Sequence, residues 1–416
     1  MVEIRLGAKI LDLVLIDGKD FVEAVDEVFP SERKTFQSSN ISVLLAKEAL
    51  KHYFLFEHLL QRFNINFSPK QKSLFFISLT NNFYLHLLSK NNCNGFLQQE
   101  IPNDEFIKSE QILDYKGSLE EMISFEKDSD FYFATKYNVP IWLIHMWRKH
   151  YGDDLVNKFL NASIRYDYQT YVVNSLKTST KLILNEFPEF SSPFEDMLLV
   201  KGTKRYQLTD AFKNYDFIDV KVGFKNLIDE LINPYEEVLL YSGYDDDFAK
   251  TAIIKTKGKL GLHLMVPNLN QRIELMRFLR MNKLRNINFF EANDEYALRA
   301  GVSYKLSKVI VFPLSTRFDI VSKYPDFLLH FDRDDLDGII QGEKDALELC
   351  SKWVDEDGEL TYVVNTLNKK ESSLLIKEFL EKHHDFSLEK EEQQITSDPF
   401  MTTMYFAILR RGRQND

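Results

Sequence analysis

The stretch Gly358–Glu371 reads GELTYVVNTLNKKE. Gly358 follows an acidic turn, and Leu360 to Val364 read as a buried strand. Asn365, Thr366, Leu367 and Asn368 leave that strand as a short polar segment, and Lys369 to His383 then follow helical spacing. A buried strand that hands a polar segment to a helix is where open α/β sheets place their chemistry, at the carboxyl ends of the strands.

Outward from this stretch, strands and helices alternate from about Asp219 onward. Strand-like runs cover Val238–Tyr241, Leu260–Val266, Ile287–Glu291 and Lys308–Phe312. Helical spacing covers Phe224–Ile232, Phe248–Thr256, Asn270–Met281, Leu336–Val354 and Ser372–His383. The alternation predicts a doubly wound, mostly parallel sheet with helices on both faces. Tyr405–Arg410, inside PFMTTMYFAILRR, is expected as an antiparallel edge strand.

The amino-terminal part is different. Ile41–Phe63 and Pro69–Leu88 repeat apolar residues at helical spacing, the second after a Ser-Pro start signal. Asp104–Tyr115, Leu119–Phe125 and Phe131–Tyr137 continue the pattern, which predicts a helical bundle with Asn91–Pro102 as its exposed loop. Between the two halves, Tyr168–Leu176, Ser179–Asn185, Met197–Val200 and Tyr206–Leu208 predict a small mixed element. The expected architecture is a multi-domain α/β protein. It has an all-α bundle at 1–138, a small α+β linker domain at 139–218 and a Rossmann-like domain at 219–416.

Bulk properties narrow the function classes. A chain of 416 residues with 44% hydrophobic content exceeds one typical domain. Two cysteines, Cys93 and Cys350, exclude a disulfide framework and a multi-thiolate metal site, and Cys350 in DALELCSKWV reads as a small core residue. No signal peptide and no membrane-spanning run are read, so a cytoplasmic protein without a membrane role is expected. The net charge of −11 argues against broad nucleic-acid binding and leaves only local basic patches.

Taken in order, the segments resemble the Sun-type RNA cytosine-C5 methyltransferases, nearest to the bacterial 16S ribosomal RNA methyltransferase B type with its NusB-like helical domain. Val139-Pro140-Ile141-Trp142-Leu143, followed by Trp147 and Tyr151-Gly152, is similar to the family's P-x-W-L…W…G segment. Val173–Ser179 is similar to R-V-N-T-L-K-T-S, with Val in place of Arg. Gly358–Glu371 is similar to G-G-x-L-V-Y-S-T-C-T-L-N-x-x-E-N, and Asp398–Arg411 to D-G-F-F-x-A-x-L-R-R. The resemblance covers essentially the whole chain.

In that family a cysteine thiolate adds to cytosine carbon 6, carbon 5 then takes the methyl of S-adenosylmethionine, and a second cysteine assists elimination. A thiolate suits this because it is both a strong nucleophile and a good leaving group. The family's thiols lie in D-A-P-C-S-G and S-T-C-T loops. Here these read Val311-Phe312-Pro313-Leu314-Ser315-Thr316 and Val363-Val364-Asn365-Thr366, so Leu314 and Asn365 stand at the cysteine positions. Val311 stands where a carboxylate would contact the base. Neither Leu nor Asn can form the adduct, so the resemblance implies no catalytic residue in this chain.

The cofactor implied is S-adenosylmethionine. Its glycine-rich turn corresponds to Leu240–Thr251, which keeps one glycine, Gly243, and gains aspartates. Ser242, Gly243, Asn268 and Asp294 are the cofactor-contact expectations. No metal site is expected: His383-His384-Asp385 reads as a polar helix end, and Ser315 lacks a base at any hydrolase spacing. Cationic candidates for RNA contact are Arg148 and Lys149 beside Trp147, then Lys201, Lys204 and Arg205, then Arg277, Arg280 and Lys283. The implied partners are ribosomal RNA or the small ribosomal subunit, with a protein partner through the helical domain. The leading expectation is a degenerate methyltransferase homologue with a ribosomal RNA or assembly role. The alternative is a NusB-like adaptor without RNA binding, and a methyltransferase with repurposed, cysteine-free chemistry ranks last.

Overall fold

The computed structural model describes residues 1–30, 36–165, 168–201, 206–243, 246–257, 261–285, 287–291, 305–318, 326–331, 333–396, 398 and 401–413. They form two compact units, one of residues 1–156 with 320–332, the other of residues 157–319 with 333–416.

The first unit is helical. Its helices include α1 (Val2–Leu15), α2 (Phe21–Val28), α3 (Phe36–Lys51), α4 (Tyr53–Arg62), α5 (Pro69–Thr80), α6 (Lys90–Glu100), α7 (Asn103–Leu113), α8 (Asp130–Tyr137) and α9 (Ile141–Tyr151), with a short helix Phe327–His330 added from later in the chain. Helix α5 starts where Ser68 and Gln71 form a reciprocal capping box ahead of Pro69, which satisfies two N-terminal donors at once. The run Ile41–Phe63 divides at His52 into α3 and α4. Asn91–Pro102 is not a loop: α6 occupies it. Its Asn and Gly content disfavours a helix, but Cys93 and Leu97, four residues apart, are both fully buried in the helical core. Tertiary packing outweighs propensity there.

The second unit begins with α10 (Asp153–Arg165), which starts in the first. A three-stranded antiparallel sheet follows, β2-β1-β3, from β1 (Tyr168–Val173), β2 (Met197–Lys201) and β3 (Phe217–Asp219), with the short helices α11 (Thr180–Glu186) and α12 (Asp210–Lys213). Tyr206–Leu208 is a 3-10 turn, and the third strand is β3. Tyr171, Phe187, Phe190, Tyr206 and Phe217 form its core, with edge-to-face contacts such as Tyr171–Phe217 at 5.1 Å.

The main sheet has seven strands in the order β6-β5-β4-β7-β8-β10-β9. Strands β4 (Val238–Ser242), β5 (Leu262–Val266), β6 (Ile287–Glu291), β7 (Leu306–Phe312) and β8 (Val354–Val364) pair in parallel. One face packs under α13 (Val222–Leu231), α14 (Asp246–Thr256) and α15 (Leu269–Met281), and the other under α16 (Asp335–Ser351) and α17 (Ser373–Lys382). The doubly wound expectation holds, with three corrections. Strand β10 (Met404–Arg411) is antiparallel but internal, because β9 (Phe386–Gln394) pairs outside it. The acidic stretch before Gly358 belongs to β8 rather than to a turn, with Asp357 at φ +59° and a register shift opposite Leu306 and Lys308. The following helix begins at Ser373, not Lys369.

Candidate functional site

The carboxyl ends of β4, β7 and β8 bring three loops together. Glu371, fully buried, binds two of them. Its carboxylate accepts from the Thr316 N–H, the Thr316 hydroxyl and the Thr366 hydroxyl, each at 2.8 Å. The two hydroxyls lie 3.0 Å apart, and Ser315 Oγ donates to the Asn365 carbonyl at 3.4 Å. The Tyr362 hydroxyl donates to the Glu371 carbonyl at 2.9 Å. So the polar segment after β8 closes on the loop after β7 through one carboxylate.

Beneath it lies a second carboxylate. Glu343 of α16 is fully buried and faces the Glu371 carboxylate and the Tyr362 hydroxyl. Burial, then the nearby Glu371, holds its pKa well above the ordinary carboxylate range. Burial also raises Glu371, against the hydrogen bonds from Thr316 and Thr366. Burial and the second carboxylate thus both favour the protonated form of Glu343. Its spacing with Ile340, Leu347 and Cys350 puts a carboxylate in a buried apolar stripe, which is the sequence signal that would have singled it out.

The loop after β4 is closely packed as well. The Ser242 hydroxyl, fully buried, accepts from Gln271 Nε2 at 3.0 Å. The Gly243 N–H donates to the Phe312 carbonyl at 2.6 Å. A Cβ on Gly243 would sit 2.6 Å from the Pro313 carbonyl carbon, so glycine is required there by loop-to-loop contact. Phe312 is buried against Phe248 at 4.7 Å and Phe224 at 5.4 Å. Two of the turn's aspartates are engaged: Lys250, buried, holds Asp246 at 2.8 Å, Asp247 at 3.6 Å and also Glu274 at 3.3 Å. Burial pulls the Lys250 pKa down, but Asp247 and Asp246 outweigh it and keep the ammonium charged. Asn268 is exposed and caps α15 by accepting from the Gln271 N–H at 2.8 Å. Asp294 lies outside the described residues.

A separate cleft of about 250 Å³ lies by the C-terminal end of α14, lined also by residues of α13 and β1. Asp229 pairs there with Lys225 and Lys255, and none of the expected site residues lines it.

Comparison with known proteins places this arrangement. No family model matches the sequence. The "Probable ribosomal RNA small subunit methyltransferase B" of Bacillus subtilis (strain 168) is 22% identical over 278 residues, covering 62% of this chain and 60% of the relative. The chain thus spans less than two thirds of that relative's length. In sequence, the chain is similar to that methyltransferase. The crystal structure of PH0851 superposes with a TM-score of 0.73 at 15% identity, over 98% of this chain and 99% of that one. NSun6 from Pyrococcus horikoshii, solved with SFG, gives 0.53 at 11% identity, over 65% of this chain and 97% of that one. At these identities the structures establish the shared fold.

Against the Sun-type pattern, the loops are adjacent but carry no thiol. Leu314 is 46% exposed, whereas Asn365 is 1% exposed and its carboxamide has no hydrogen-bond partner among the described residues. Val311 is buried within the sheet. Cys350 lies fully buried in α16, its thiol pushed up by burial, and Cys93 sits in the helical unit, its thiol pushed up to about 11. Neither reaches the loops as a thiolate.

The cationic candidates separate by environment. Arg148 is a structural clamp: its guanidinium spans Asp153 at 2.8 Å and Asp130 at 2.6 Å and lies over Phe133. Lys149 and Lys201 are exposed, as are Arg277, Arg280 and Lys283 on α15 and its exit. Lys204 and Arg205 lie outside the described residues. Trp147 is fully buried, as a packing anchor would be. His383 pairs with Glu348 at 2.7 Å.

Proposed function

We propose that this protein is a Sun-type methyltransferase homologue whose covalent cytosine-C5 chemistry has been lost and which keeps a role in contacting ribosomal RNA or an assembling small subunit. The observation that carries this reading is the pair of adjacent loops with Leu314 and Asn365 in place of two thiols, while both cysteines are buried elsewhere. Without a thiolate, cytosine carbon 5 stays a poor nucleophile and the ring is not activated.

S-adenosylmethionine is the family's cofactor, and by the resemblance Ser242, Gly243, Asn268 and, outside the described residues, Asp294 are the positions assigned to it. The described residues do not fit it. The Ser242 hydroxyl is committed to Gln271, and the space above Gly243 is filled by Pro313 and Leu314 backbone. No step through the cofactor is therefore assigned to this chain.

RNA contact needs only positioned cations, and Lys149 in the first unit and Lys201 in the second are each exposed and each proposed for it. Arg277 and Arg280 share α15, which Lys283 follows, with three exposed aliphatic side chains that phosphate contact leaves without a role. The helical unit corresponds to the NusB-like module of the same family.

Isothermal titration with S-adenosylmethionine is expected to give no binding heat, and Leu314→Cys/Asn365→Cys is expected to restore neither binding nor methylation of 16S ribosomal RNA. Micromolar binding together with methyl transfer would overturn the loss of activity. A gel-shift titration with 16S ribosomal RNA fragments tests the retained contact, and no shift at low salt would remove it.

A further inference from the structure

Helix α15 uses only one of its faces against the sheet. Leu275 and Phe278 are fully buried in the core, and Gln271 is buried beside Ser242. The outward face carries Leu269, Ile273 and Met276, which are 66%, 56% and 45% exposed. Their spacing of four and then three residues aligns them along a single ridge. The ridge continues as cations: Arg277 and Arg280 on the helix, then Lys283 and Arg285 in the segment that leaves it, all exposed.

The charge of this segment opposes that of the whole molecule. From Leu269 to Arg285 there are five cations, Arg272, Arg277, Arg280, Lys283 and Arg285, against the single acid Glu274, in a chain of net charge −11. Arg277 is partly engaged by the Tyr215 ring at 5.7 Å and by Glu274 at 4.0 Å. Arg280, Lys283 and Arg285 hold no ion pair among the described residues. An ordinary solvated helix face places charges where Leu269, Ile273 and Met276 stand.

We propose that the outward face of α15 docks an acidic amphipathic helix of a partner protein. The partner's aliphatic side chains seat on Leu269, Ile273 and Met276, and its carboxylates meet Arg280, Lys283 and Arg285. Three large aliphatic side chains at helical spacing are the anchors that a helix-on-helix contact uses. Nucleic acid gives them nothing to bind: phosphate takes only the cations, and unstacked bases take aromatic platforms, which this ridge lacks. The cations then select an acidic partner and accelerate its encounter. This proposal is independent of whether the loops at the sheet's carboxyl end keep any activity.

The test uses the full chain and a labelled synthetic helical peptide with leucines at i, i+4 and i+7 among glutamates. Its control has the same composition with the leucine spacing scrambled. Fluorescence anisotropy is expected to show binding of the patterned peptide, weakened at least ~10-fold by Ile273→Asp and by Arg280→Glu, and the scrambled peptide binding at least ~10-fold more weakly. Both side chains are exposed; if Ile273→Asp melts early, Ile273→Gln replaces it and is held to the same expectation. Equal binding of the two peptides means charge attraction alone and overturns the proposal, as does indifference to either Ile273 variant. It also falls if both variants weaken a 16S ribosomal RNA fragment instead of the peptide. Sedimentation that shows a dimer abolished by Ile273→Asp would assign the face to a second copy of this chain and overturn it equally.

Discussion

Glu343 occupies the buried stripe of α16 between Ile340 and Leu347, with a carboxylate neighbour and no ion-paired cation among the described residues. Its raised pKa has a definite sign for stability. Below the ordinary value of 4.5 the group is neutral in folded and unfolded chains alike and makes no difference. As pH rises above it, the unfolded chain ionises while the folded chain keeps its proton, so stability falls with rising pH. Glu343→Gln removes that loss. Its stability is expected to exceed the parent's by an amount that grows as pH rises above the ordinary carboxylate range, read from thermal melts across pH. A difference that stays flat with pH would assign the effect to packing. Arg148 tests the opposite case, a cation that sequence spacing nominated for RNA but that two carboxylates hold. Arg148→Ala is expected to destabilise the protein by about 1–2 kcal/mol in urea titrations and to leave RNA-fragment affinity unchanged. The replacements at Leu314 and Asn365 were legible in the sequence because the resemblance fixes their positions. The partners of Arg148 and Glu371 were not, because a hydrogen bond to a residue brought near only by folding leaves no local pattern.

At the scale of elements, the loops after β7 and β8 are joined by the Glu371 carboxylate and three donors. Glu371→Ala leaves the Thr316 N–H and both threonine hydroxyls buried without their acceptor, an expected loss of about 2–4 kcal/mol in the urea midpoint. Glu371→Gln keeps one acceptor oxygen and is expected to lose less than half of that. Equal losses would mean that packing volume, not the hydrogen bonds, holds the loops. The same scale explains what sequence reading caught and missed in the fold. The parallel strands are apolar runs bounded by helices and are visible as such. Strand β9 is FSLEKEEQQ, almost entirely polar, and exists because it pairs with β10 as an edge; its charges also discourage pairing with other sheets. Helix α6 was hidden for a related reason, since only Cys93 and Leu97 mark its buried side.

For the whole molecule, the net charge of −11 limits how RNA can be held. With only a few exposed cations on the proposed contact surface, binding to a 16S ribosomal RNA fragment is expected to weaken with salt at a log–log slope no steeper than about −3 between roughly 50 and 200 mM. Filter binding across that range measures it, and a slope near that of a basic RNA-binding protein would reveal a cationic surface that the described residues do not contain. No helix among the described residues is long and apolar enough to cross a membrane. The helical unit is itself discontinuous: residues 320–332 belong to it, although they follow β7 in the chain. Within it the Phe21 N–H donates to Asp326 at 2.8 Å, Leu329 packs on the helical core, and Phe331 faces Trp142 at 6.4 Å. A ribosome therefore releases residues 1–156 with the places of Asp326, Leu329 and Phe331 still vacant, and they are filled only after the chain through β7 has been synthesised. The helical unit is begun first but cannot be finished before much of the sheet exists, and a chain cut at Val156 leaves part of the helical unit on the piece that carries the sheet.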